Sequence, residues 1–85
     1  MPRFYFDLHN GIGFTKDEEG LVASDDAAAR DLAIDNIRSM LSDEVRAGSL
    51  DLMGRVEIRR DTGEVMMQVP FEEAVVLRLP GNKPR

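Results

Sequence analysis

The sequence predicts an α+β domain: an antiparallel sheet of three to five strands with one long helix packed on one face, in the order β-β-α-β-β. Three observations carry this. Arg3 to His9, and later Arg55 to Arg60 and Glu64 to Val69, alternate apolar and polar residues with the period of half-buried strands. Between them, Asp25 to Ala47 contains neither Pro nor Gly and repeats apolar residues at three- and four-residue spacing. With 85 residues there is room for one domain.

In the first strand Phe4, Phe6 and Leu8 share one face, and Tyr5, Asp7 and His9 the other. Asn10-Gly11 is a turn signal, because both residues tolerate positive φ. Ile12 to Thr15 reads as a short return strand. Asp17-Glu18-Glu19-Gly20 is a second turn, and Leu21 to Ala23 a short edge strand. Ser24 or Asp25 caps the helix, Asp25 and Asp26 put negative charge at its positive end, and Gly48 closes it. Leu50 and Leu52 anchor a connector. Asp61-Thr62-Gly63 then joins two strands, with Val56 and Ile58 on one face together with Val65, Met67 and Val69. Pro70 stops the last of these, since it has no N–H to donate. Beyond it two readings stay open: Phe71, Ala74 and Val75 fit one helical turn, whereas Val75, Leu77 and Leu79 alternate as a strand. The domain is expected to span residues 1–79, with 80–85 a flexible tail.

The helix is larger than one small sheet needs. It would run about 35 Å, against about 23 Å for a seven-residue strand. Its apolar residues, Ala29, Leu32, Ala33, Ile34, Ile37, Met40, Leu41 and Val45, cover roughly 200° of arc, about twice one packing face. A domain this small also gains from burial against a partner. The expectation is a homodimer, with Ile34, Leu41 and Val45 at or near the interface. Tyr5 and Met66, with Gln68 on the outward sheet face, form a second contact patch.

Composition excludes several functions. There is no cysteine, hence no disulfide framework, thiolate nucleophile or Cys-ligated metal. A Cys-free chain suits a reducing cytoplasm. Eleven Lys and Arg against sixteen Asp and Glu give a net charge of −5, which opposes nucleic-acid binding. No apolar run approaches the roughly 20 residues of a membrane span. Met1-Pro2-Arg3-Phe4 lacks the apolar core of a signal peptide.

The residues that could carry chemistry are few. Asp61-Thr62-Gly63 matches the aspartic-protease triplet, but Arg59, Arg60 and Glu64 around it suit a solvated hairpin tip. His9, the one histidine, shares a strand face with Asp7 and lies near the acidic turn, so it could bind a metal or act as a base. A charged residue at a strand end is the plainer reading. Glu44 falls within the apolar arc and could mark a site, or reach water along its own methylenes. Arg55, Arg59, Arg60 and Arg78 make the second half locally basic, balanced by Glu57 and Glu64.

The opening Phe4-Tyr5-Phe6-Asp7-Leu8-His9-Asn10-Gly11, the turn Asp17-Glu18-Glu19-Gly20, the helix start Ala27-Ala28-Ala29-Arg30 and the ending Val69-Pro70-Phe71 resemble domain-of-unknown-function family 6894, over about residues 3 to 76. That resemblance implies a bacterial, cytoplasmic protein and assigns no catalytic residues. Phe4 to about Leu41 is also similar to HicB-type antitoxins, although the turn here has no Pro before its Gly.

Together these readings lead to a non-catalytic interaction or regulatory module, homodimeric, without cofactor or metal. An antitoxin-like regulator of a toxin partner is the alternative, and a small enzyme or metal site around His9 the third.

Overall fold

The computed structural model describes residues 1–81. It is α+β, with an antiparallel sheet of five strands and one helix. The strands are β1 (Arg3–Asn10), β2 (Gly13–Thr15), β3 (Leu21–Val22), β4 (Arg55–Arg60) and β5 (Val65–Pro70), and the helix is α1 (Asp26–Arg46). The sheet order is β2-β1-β4-β5. β4 pairs with β1 along Phe4 to His9, so β2 and β3 share the opposite edge of β1. The expected element order is present, with the anticipated edge strand realised as β3.

Register explains the core. Phe6 lies across from Ile58, Leu8 from Val56, Val56 from Val69 and Ile58 from Met67. All of these point at the helix, which buries Ala29, Ala33, Ile34, Ile37 and Leu41 against them. Asp25 is the N-cap, its Oδ1 accepting the Ala28 N–H at 2.8 Å. At the other end Gly48 N–H donates to the Val45 carbonyl and Ser49 N–H to that of Glu44, both at 2.9 Å. Arg60, on the helix side of β4, reaches the first helical turn and holds both carboxylate oxygens of Asp26.

Three local outcomes differ from the sequence reading. First, Ile34 and Leu41 are buried within the chain's own core, and Leu32 and Met40 pack partly against it. Most of the wide arc is therefore covered without a second subunit, and Val45 alone of the three expected interface residues is exposed. Second, β4 and β5 slip at Ile58/Arg59: Met67 faces Ile58, but Val65 faces Arg59. The extra residue is Met66, a β-bulge that turns it against the core and leaves Val65 exposed, the reverse of strict alternation. Third, Phe71–Glu73 is a 3-10 turn and Val75–Leu79 is neither helix nor strand. Phe71 is buried and donates its N–H to the Gly54 carbonyl at 3.0 Å. Residues 82–85 of the expected tail lie outside the described residues.

Candidate functional site

The sheet face opposite the helix carries Tyr5, Asp7 and His9 of β1 beside Arg59, Glu57 and Arg55 of β4, each directly across from its counterpart. This register sets Asp7 against Glu57, two like charges that would repel. The side chains resolve it diagonally. Arg59 reaches Asp7, donating from Nε to Oδ2 and from Nη2 to Oδ1, the latter at 3.1 Å. His9 Nε2 meets Glu57 Oε1 at 3.0 Å. The Arg59 guanidinium also lies over the Tyr5 ring, 5.0 Å from its centroid.

Asp7 is only 2% exposed although it sits on the open face. The cover comes from the acidic turn. β2 pairs with Leu8 to Asn10 and β3 with Arg3 and Phe4, so the edge of β1 has a gap between them. Asp17 fills it: its Oδ2 accepts the Phe6 N–H at 3.0 Å. Its own N–H donates to Asp7 Oδ1 at 2.9 Å, and its carbonyl accepts from Arg59 Nη2 at 3.3 Å. Oδ1 of Asp17 accepts the N–H groups of Glu19 and Gly20, which closes the turn. Gly20 is at φ +70°, and a Cβ there would lie 2.6 Å from the Phe4 carbonyl oxygen. The Asp-x-x-Gly spacing is thus the means by which one loop seals one strand gap.

Burial alone would raise the Asp7 carboxyl. The Arg59 hydrogen bond, the Asp17 N–H and the charges of Arg59 and Lys16 outweigh it, holding Asp7 below the ordinary carboxylate range. Arg59 is correspondingly pushed up, chiefly by its bond to Asp7. Both oxygens of Asp7 are occupied, so this geometry orders a loop and offers no free base at that position.

His9 lies apart from the Asp7 network. Its ring packs on Phe14, centroids 4.7 Å apart and tilted by 46°. Glu44 is half-buried near the helix end, where its Oε1 accepts the Asp51 N–H at 3.2 Å and fastens the connector. Tyr5 supports Arg59. Among the described residues, no group of three or more His, Asp or Glu side chains is placed to hold a metal ion. None of the described helices is long and apolar enough to cross a membrane. Sequence reasoning missed Asp17 and Arg59. The Asp-x-x-Gly turn was a signal for the first; the second needed the diagonal register.

An apolar opening lies elsewhere. A groove of about 390 Å³ runs between the second half of α1 and the chain beyond Ala74, lined by Leu41, Val45, Leu50, Val75, Val76 and Leu77. Arg38 lies at the groove and donates from Nε to the Ala74 carbonyl at 2.7 Å. Val45 is 56% exposed, Val76 81% and Leu77 52%.

A family profile described as Domain of unknown function (DUF6894) matches residues 3–72. No curated protein and no solved structure matches the chain.

Proposed function

The chain belongs to the DUF6894 family, whose description names no activity, and from that premise we propose that it is a non-catalytic interaction module acting as a homodimer. The observation that carries this reading is the apolar groove at the helix end. It joins the trough formed by Leu41, Val45 and Leu50 to the exposed side chains of Val76 and Leu77 in one apolar surface. An apolar surface of this kind can meet its own copy across a two-fold axis, where the same patch is presented by both subunits. The open sheet face supports the non-catalytic part, since its two carboxylates, Asp7 and Glu57, are engaged by Arg59 and His9. A cytoplasmic, bacterial setting is supported by the Cys-free composition and by the family resemblance. The net charge of −5 favours a protein over a nucleic-acid partner.

Substitution at the groove tests the reading. Val45→Asp puts a charge into the trough and is expected to abolish self-association in sedimentation velocity, while Asp35→Ala, at an exposed helix position, leaves it unchanged. A Val45→Asp chain that sediments as the wild type does would remove the groove from the interface.

A further inference from the structure

Val75–Leu79 follows β5 without entering the sheet. The segment alternates Val75, Leu77 and Leu79 with Val76 and Arg78, the pattern of a strand, yet it has no strand partner. Among the described residues, no backbone hydrogen bond involves it. Its Val76, Leu77 and Leu79 are exposed, the last by 52%. It also lies C-terminal to the residues that the family profile covers.

The sheet has the complementary vacancy. β5 is the terminal strand, and among the described residues it pairs only with β4. Its sequence, Val65-Met66-Met67-Gln68-Val69-Pro70, carries no charge. Natural edge strands are usually blunted by charges, bulges or Pro. Here the bulge at Met66 and Pro70 lie within the strand near its two ends, leaving the three residues Met67 to Val69 regular and open. The opposite edge of the sheet is short and broken: it consists of the three residues of β2 and the two of β3, with the Asp17 turn between them.

We infer that Val75–Leu79 is a strand in the assembled protein, added to the β5 edge of a second copy, each copy donating its segment to the other. This rests on the homodimer reading and gives it a geometry. The segment does not fold back beside its own β5: Phe71 is pinned to Gly54, and Arg38 holds the Ala74 carbonyl at the flank of α1, so the chain leaves the sheet along the helix. In trans there is no such restriction. The backbone of the added strand would pair with Met67 to Val69. Its Leu77 face would cover the flank of α1 at Leu41 and Val45, the wall of the groove. One element thereby accounts for both the free edge and the apolar trough.

Amide hydrogen exchange on the full chain, at concentrations below and above the association midpoint, tests this together with the sedimented mass. The expected result is a dimer in which amides of Val75–Leu79 and of β5 slow together by tenfold or more at high concentration. A dimer whose Val75–Leu79 amides exchange equally fast at both concentrations overturns the strand exchange and leaves the homodimer standing. A monomer at every concentration overturns both. Leu77→Pro gives an independent check. It removes one strand N–H at an exposed position outside the core, so below the association midpoint the domain should melt as the wild type does, while dimerisation weakens at least tenfold. Unchanged dimerisation of Leu77→Pro also overturns the strand exchange.

Discussion

Arg59 binds both carboxylate oxygens of Asp7 across two adjacent strands, on the face of the sheet that no helix covers. The same Asp7 receives the N–H of Asp17, and Arg59 donates to the Asp17 carbonyl. One ion pair therefore joins the central strands to the loop that seals the edge of β1.

Removing the charge at Asp7 leaves Arg59 without its partner. Asp7→Asn is expected to cost about 2–4 kcal/mol, the range for a largely buried, hydrogen-bonded pair. The pH dependence follows from the direction of the Asp7 shift. Its folded-state value is lowered, so its stabilisation is fully present above the ordinary carboxylate value and is lost as pH falls through the folded one. Urea unfolding between pH 7 and pH 2 should show the wild type losing more stability than Asp7→Asn. Parallel curves would detach Asp7 from the acid response.

Asp17→Ala strips an acceptor from the N–H groups of Phe6, Glu19 and Gly20 at once. A loss of about 2–3 kcal/mol is expected, with the Phe6 amide losing its protection from exchange. Glu18→Ala, in the same turn but with an exposed residue, should change stability by less than about 0.5 kcal/mol. Equal effects of the two would mean that the strand gap needs no seal.

Two glycines at positive φ separate strain from crowding. Gly63, at φ +95°, has open space where a Cβ would stand, so Gly63→Ala carries backbone strain alone, about 1 kcal/mol. A Cβ at Gly20 would in addition meet the Phe4 carbonyl and the Tyr5 ring. Gly20→Ala is expected to cost about 2–4 kcal/mol. Thermal melts rank the two directly; the opposite order would contradict the packing of the turn on β1.

His9 pairs with Glu57 where both side chains retain some exposure, 26% and 19%. Such pairs contribute about 0–1 kcal/mol, so His9→Ala should fold and melt nearly as the wild type does. Elemental analysis of untagged protein should find no stoichiometric transition metal. A near-equimolar metal that disappears in His9→Ala would make this face a metal site.

The strands, the helix and its caps were legible because each depends on local pattern: the alternation from Phe4 to Leu8, Asp25 before the Ala-rich turn, Gly48 after Ala47. The hairpin at Asp61-Thr62-Gly63 was legible for the same reason, and Gly63 takes the positive φ that the turn needs. What was hidden depends on pairing between distant residues. The bulge at Met66 is set by the slip between β4 and β5, which alternation within one strand does not reveal. The burial of Ile34 and Leu41 depends on how much of the helix the sheet and the chain beyond Pro70 cover. Asp7 stood out as a candidate for chemistry, and its partners Arg59 and Asp17, 52 and 10 residues away, give it a structural task instead.

Sedimentation equilibrium of the wild-type chain at micromolar concentration measures self-association without any substitution. The expected mass is twice the 9.5 kDa monomer, falling toward the monomer on dilution. A mass that stays at 9.5 kDa across the whole concentration range would contradict it.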